Sequence, residues 1–437
     1  MGSNRILALA RGLGAHRAAA AVLVSLTALL ALAPRADAKR FFIPQDYKTI
    51  QKGIDAASTG DTIWVAAGTY PGGIVMKKSL VLFGDAGADN TILDGGDSVR
   101  VLEMEGLRNV AVIGLTIRRG KANSGGGMHC VRDTSIMVAG CVFEKNWESA
   151  ISAWDTRDIN LIETRFLENW GSAVALQYSS VIAKTCEFSK NHGYVGGAIS
   201  FVHSSATLPL RNCSFTENSA DDATGGAVNV DSSDVLIAEC LFRKNSAKVA
   251  GGGLAIMNGS KVAVSRCHFD ENHAAASGAL HADHGGLNIA MSLFTGNQST
   301  ALGSAIGLAT RAVAGINPII INNTFYKNTA TSEGTTIWAE HVSPEIRKNI
   351  FVVEKSQKAV SGVDSSPLYE CNLIHDPTGG AIGTLPSADT LVGDPLFCDP
   401  ANGDFFLRDL SPAVLATCAP IGALPKRCTS FKMAPSR

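Results

Sequence analysis

His281 and Asp283 stand two residues apart in Leu280-His281-Ala282-Asp283, an apolar-polar alternation. On a strand both would share one face. A histidine beside a carboxylate suits acid–base chemistry. Asp231 holds the place of Asp283 two repeats earlier, about 10 Å away by strand spacing. Three chemistries compete for these catalytic candidates. A polysaccharide lyase needs acidic ligands for calcium and a base, usually Arg or Lys, at the abstracted proton. Asp231 and Asp283 are too far apart to share one ion, and no Arg stands beside them. A glycosidase needs two carboxylates roughly 5–9.5 Å apart, and this pair lies near the upper limit. A metal could use His281, Asp283 and His284, but alternation should turn His284 away from the other two. No metal and no cofactor is therefore expected, with calcium the weak candidate. Non-catalytic binding asks less of the residues. Trp154, Tyr178 and Trp338 among polar groups such as Asn229 could stack on sugar rings or meet a cell-surface component.

What must hold these residues is a repeat. Phe188, Phe215, Phe242 and Phe269 recur every 27 residues, with Asn191, Asn218, Asn245 and Asn272 three places after them. Cys186, Cys213, Cys240 and Cys267 come two places before each Phe, and a small-residue step such as Gly225-Gly226-Ala227 opens each unit. The beat extends with looser spacing from Phe143 to Phe351, giving nine units, or eleven with two upstream. A fixed period in the twenties marks a stacked solenoid. Within a unit three apolar pairs alternate with period two: Leu254 and Ile256, then Val262 and Val264, then Cys267 and Phe269. Between the second and third pairs the parity slips by one, so the chain must bend there. Three strands and a bend per repeat predict an all-β, right-handed parallel β-helix of about 9–11 coils. A leucine-rich repeat fits the spacing of Ile237, Cys240, Phe242 and Asn245, but the return after each Asn is short, Gly-rich and strand-patterned rather than helical. The Asn column reads as a strand end that tolerates the left-handed conformation.

Residues 1–38 read as a secretory signal: Arg5, Arg11 and Arg17, then the apolar run Ala18 to Ala33, then Ala36-Asp37-Ala38. The expected destination is extracellular, the cell surface or the periplasm. Formal charge is −1 over 437 residues, too mild to imply a nucleic-acid partner. A monomer is expected, with no membrane span after cleavage. Asp46 is a plausible cap for a helix over Tyr47 to Ala57 closing the N-terminal end of the coil, within 39–60. The coil itself is expected over 39–360, a closing segment over 361–428 and a disordered tail over 429–437. The closing segment carries Cys371, Cys398, Cys418 and Cys428, where a disulfide is expected; the repeat cysteines are expected to be buried free thiols.

Tyr47-Lys48-Thr49-Ile50, Ile54-Asp55-Ala56-Ala57, Gly60-Asp61-Thr62, Gly68-Thr69-Tyr70 and Leu82-Phe83-Gly84 resemble the N-terminal cap and first coils of pectin-lyase-like right-handed β-helix proteins. The Gly-Gly-Ala-Ile and Phe-x-x-Asn steps resemble repeats of polymorphic outer-membrane proteins. The resemblance implies a substrate groove on the outward face of the strand after the small-residue step. There the outward positions include His129, Ser152, Trp154, Gln177, Ser200, Asn229, Asp231, Met257, His281, Asp283, Trp338 and Glu340. The Asn-Thr-Asp, Asp-Asp and Arg-Ile-Lys motifs of pectin-hydrolysing relatives are absent at matching places. The expected role is thus binding or structural, adhesin-like or carbohydrate-contacting, with a polysaccharide lyase or glycoside hydrolase as the alternative.

Overall fold

The computed structural model describes residues 38–309, 317–331, 334–353, 357–378 and 389–428, and the side chains of 206–209 are excepted. The expected signal, apart from residue 38, and the expected tail lie outside these. The fold is an all-β parallel solenoid of about 12 turns, each built on three strands. Its contacts divide into two compact units. One runs up to Ser219 and includes Asp231–Val235; the other comprises Ala220–Val230 and Leu236 onward.

In the first unit, one coil is Met128–Val131, Thr134–Ala139 and Val142–Glu144. Each strand pairs in parallel with its counterpart in the next coil: Met128 with Ile151, Ile136 with Ile159, Phe143 with Phe166. Three sheets result, here called the glycine-step, middle and phenylalanine sheets. Inward residues therefore stack on their own kind. Phe143, Phe166, Phe188 and Phe215 stack nearly parallel with centroids 5.1, 4.7 and 5.0 Å apart. The second unit repeats the plan with Phe242, Phe269, Phe294, Phe325 and Phe351, at 4.6 to 4.9 Å. All of these rings are buried. Each contributes roughly 1.5–3 kcal/mol of gross burial.

The parity slip has a physical form. Between the middle and phenylalanine sheets one residue per coil is left-handed, as at Thr185 (φ 57°), Glu239 (φ 56°) and Arg266 (φ 52°). It reverses the facing of the chain, so both flanking strands can point inward. The residue after it turns into the core. In the first unit this is Cys141, Thr164, Cys186 and Cys213; in the second it is Cys240, Cys267, Ser292, Asn323, Asn349 and Asn372. The amide of Asn323 donates to Asn349, and Asn349 to Asn372, both at 3.1 Å. The six repeat cysteines, Cys130 and Cys141 included, are free and buried. The thiols at the bend donate to main-chain carbonyls, as Cys186 does to Leu161 at 3.4 Å.

The Asn after each Phe is not the left-handed residue. That conformation belongs to the residue before it: Lys145, Glu168, Lys190, Lys244 and Glu271. The Asn side chain is fully buried. Asn146 donates through Nδ2 to Asn169 Oδ1 at 3.0 Å, and Asn169 to Asn191 at 2.9 Å. In the second unit Asn245, Asn272 and Asn297 do the same. These amides also donate to a main-chain carbonyl of the coil before, as Asn146 does to Ile117 and Asn272 to Phe242. The column thus satisfies main-chain groups that the bend leaves without a strand partner.

A short fourth ladder follows this column, unmarked by the apolar pattern: Ser246–Ala250, His273–Ala276, Gln298–Ser299 and Thr329–Ala330 in the second unit. The glycines of the step then turn the chain back. Gly225 is left-handed (φ 70°), and a Cβ on Gly226 would sit 2.2 Å from the carbonyl oxygen of Gly252. The first is required by conformation, the second by backbone approach.

At the N-terminal end the helix is shorter than expected. It spans Ile50–Ala56, and its cap is Thr49, whose hydroxyl accepts from the Lys52 N–H. Asp46 instead accepts from the Phe42 N–H in the turn after the strand Arg40–Ile43. At the other end parallel pairing continues through Lys358–Val363, Leu368–Glu370 and Leu373–His375. Disulfides Cys371–Cys418 and Cys398–Cys428 tie the closing segment. No helix among the described residues is long and apolar enough to cross a membrane.

Candidate functional site

The outward face of the glycine-step sheet carries the expected candidates, and the two units carry different chemistry there. In the second unit the strand Leu280–Asp283 points Leu280 and Ala282 inward, leaving His281 and Asp283 outward. His281 is in register with Ala255 on one side and Gly307 on the other. Its Nδ1 lies 3.0 Å from the Ser277 hydroxyl. Ser277 is itself left-handed (φ 57°), in the place Gly251 and Gly303 take in neighbouring coils. A Cβ on Gly307 would stand 1.9 Å from Ser277 Oγ, so glycine there makes room for the pair. Burial holds the His281 imidazole below its ordinary range, against the opposing pull of Asp283. Asp283 meets His284 Nδ1 at 2.6 Å. This contact is between neighbours: His284 is left-handed (φ 55°), which explains how two adjacent residues meet despite the alternation. Among the described residues no group of three or more His, Cys, Asp or Glu is gathered as a metal site would need.

Asp231 falls in the first unit, where its Oδ1 accepts from the Ser232 hydroxyl at 2.8 Å. Asn229 is buried and accepts from Thr224 Oγ1 at 3.1 Å. Trp338 is half-buried. Trp154 and Tyr178 are 42% and 52% exposed, so their rings can still meet a ligand.

Both of these aromatics belong to a larger arrangement in the first unit. Tyr178 and His203 follow the strands Val174–Gln177 and Ile199–Val202 directly, both left-handed, and their rings stack at 5.3 Å. Trp154 ends the strand Ile151–Trp154, with the Arg132 guanidinium 6.0 Å over its ring. Upstream of the same strands, one residue after each repeat Asn, comes a second aromatic row. Trp147, Trp170 and His192 stack at 5.5 and 4.7 Å. His192 Nδ1 is 2.9 Å from the Ser219 hydroxyl. Trp147 and Trp170 remain 40% and 45% exposed. The strip formed by the strands Ile151–Trp154, Val174–Gln177 and Ile199–Val202, roughly 13 Å wide, is thus preceded along the chain by Trp147, Trp170 and His192 and followed by Tyr178 and His203, with Trp154 at its edge. Trp147, Trp170 and His192 were not among the sequence candidates. Their signal is present, since each is the residue immediately after a repeat Asn.

Below this strip, towards the N-terminus, lie Glu103, Glu105 and His129. Glu103 is in register with His129, and His129 with Ser152. Arg100 pairs with Glu103 at 2.9 Å and Arg132 with Glu105. His129 Nδ1 and Arg100 Nε are both buried without a hydrogen-bond partner. Burial, with the Arg100 charge, holds His129 below its ordinary range, while Glu103 and Glu105 oppose. The imidazole is thus neutral at neutral pH. Beneath the surface a hydroxyl column, Thr156, Ser179, Ser204 and Ser233, caps main-chain N–H groups from coil to coil. Asp133 heads that column, fully buried and accepting from the Leu107 and Val131 N–H groups.

A family model described as the right handed beta helix region matches residues 81–242 and 221–382. No curated protein matches the sequence. Among solved structures, the PL6 family alginate lyase AlyGC superposes with a TM-score of 0.56 at 14% identity, covering 85% of this chain and 55% of that one. The catalytic domain of a GH87 alpha-1,3-glucanase gives 0.42 at 9%, covering 83% and 69%. Pectate lyase Pel9A gives 0.37 at 14%, covering 65% and 73%. At such identities the alginate lyase likeness establishes the fold alone, and this chain spans little more than half of that enzyme's length.

Proposed function

The chain belongs to the right-handed β-helix family, and on that premise we propose that it is a carbohydrate-contacting protein acting outside the cytoplasm, at the cell surface or beyond. Its role is binding or scaffolding, and its contact surface is the aromatic-bordered strip of the first unit. The observation that carries this reading is the two sets of aromatic rings, Trp147 and Trp170 stacked on His192, and Trp154 with the stacked Tyr178 and His203, in which both tryptophans of the first set, Trp154 and Tyr178 are exposed. Exposed aromatic rings held on a rigid coil offer flat apolar faces to sugar rings at little cost in side-chain entropy. Printing the full chain's binding on a broad glycan array tests it. Signals above background are expected, and a blank array sinks the reading.

A second reading, a polysaccharide lyase or glycoside hydrolase, is favoured by the Ser277–His281 contact, a hydroxyl and a neutral imidazole within hydrogen-bond reach. Incubation with anionic and neutral polysaccharides decides. Shortened or unsaturated products that vanish in Asp283→Ala would replace binding with catalysis.

A further inference from the structure

The charge of the strip limits what it can hold. The strands Ile151–Trp154, Val174–Gln177 and Ile199–Val202 contain no Lys or Arg. Two outward acids, Glu103 and Glu105, stand on the strand two coils towards the N-terminus. Three nearby cations are already engaged. Arg100 is held by Glu103, Arg132 by Glu105 and by the Trp154 ring, and Lys121 stands over Trp147 at 5.7 Å. A carboxylate laid on this strip would lose water and find no Lys or Arg on its strands. An unpaired charge of that kind is expensive to desolvate.

We infer that the strip takes an uncharged glycan, its chain running from coil to coil across the strands rather than along one of them. This rests on the carbohydrate reading above and narrows it. The aromatic rows set the direction, since the ring spacings of 5.5, 4.7 and 5.3 Å repeat along the stacking axis. That repeat is close to the length of one pyranose unit. Successive sugars can thus meet successive rings through their apolar faces. Between the rows the outward side chains are neutral and small or hydrogen-bonding: Ser152, Ala175 and Gln177, with the uncharged His129 beside them. Such groups match hydroxyls, which both donate and accept.

The test is isothermal titration of the full chain with soluble neutral glucans of several linkages and, in parallel, with alginate and polygalacturonate. The expected result is binding of at least one neutral glucan, unchanged when salt is raised, with no binding of either polyuronate. Trp170→Ala should weaken it roughly three- to ten-fold, from the worth of one aromatic contact. Tyr178→Ala, at an exposed turn, gives a second reading should the first variant fold poorly. Binding of a polyuronate alone, weakened by salt, overturns the uncharged assignment but leaves the carbohydrate reading standing. Binding of neither class, agreeing with a blank array, removes the carbohydrate reading itself. Neutral binding that both variants retain in full overturns the placement on this strip.

Discussion

Inside, Phe166 of the first unit and Phe294 of the second are interchangeable. Each is fully buried, stacked on both sides at about 5 Å, and followed by an amide that hydrogen-bonds up and down its column. Outside, the units diverge. The first borders its glycine-step strands with tryptophan, tyrosine and histidine rings; the second bears a Ser277–His281 contact in a notch left by Gly307. The difference teaches where the fold stops constraining the sequence. Inward residues must match the coil above and below, whereas outward residues need only tolerate the backbone. Outward novelty in one unit is therefore a mark of what that unit touches.

If the interiors are equivalent, Phe166→Ala and Phe294→Ala should each destabilise by about 3–5 kcal/mol, the usual cost of a buried Phe cavity. Chemical denaturation with hydrogen exchange, read unit by unit, would show the loss in the unit that carries the change. A cost below about 1 kcal/mol in either unit would break the equivalence. The exteriors should not be equivalent. Gly307→Ala drives a methyl into Ser277 Oγ and should cost about 1–3 kcal/mol, as overpacking does. Adding Ser277→Gly should restore most of it. Ala175→Ser, at the same outward place in the first unit, should change stability by less than about 0.5 kcal/mol. If Gly307→Ala were as mild, the notch would be no more than a gap.

How far the sequence shows this contrast depends on the kind of residue. The inward columns are legible because stacking forces like onto like, and the period of Phe242, Phe269 and their relatives states the coil directly. The parity slip before Cys240 and Cys267 shows the bend as well. What stays hidden is which residue in a turn is left-handed. The repeat Asn suits that conformation by type, yet Lys244 and Glu271 adopt it, because the Asn amide is worth more inside the ladder. The contact of Asp283 with its neighbour His284 is concealed for the same reason. The Ser277–His281 contact needs a non-glycine at a glycine place, which the step Ser277-Gly278-Ala279 displays but does not explain. Trp147 and Trp170 share a column, yet their exposure depends on a turn whose path the alternation does not specify.

Acid separates the units more gently. Burial raises the Asp133 carboxyl from 3.8 to about 6. Between about pH 4 and 6 the folded first unit keeps a proton that the unfolded chain has released. Stability should thus fall as pH rises through that window and level off above it. The whole effect is of the order of 2–3 kcal/mol. In the second unit Gly285 and Val342 occupy the corresponding place after the left-handed residue and cannot titrate. Denaturation across the window should therefore show a falling difference between wild type and Asp133→Asn. A difference that stays constant with pH would mean that Asp133 is ionised throughout.

The smallest effect concerns the charges on the outermost turn. Lys190 and Glu217 of the first unit sit 3.8 Å apart on successive coils, and Lys244 and Glu271 of the second 3.3 Å apart. All four are left-handed residues with exposed side chains. The backbone there is fixed by the buried Asn that follows, so the charges only decorate it. Glu217→Gln and Glu271→Gln should each change stability by less than about 0.5 kcal/mol, and added salt should erase even that. A loss above about 1 kcal/mol in one unit alone would mean that outward charge helps hold its turns. The division between a constrained inside and a free outside would then fail at this corner of the coil.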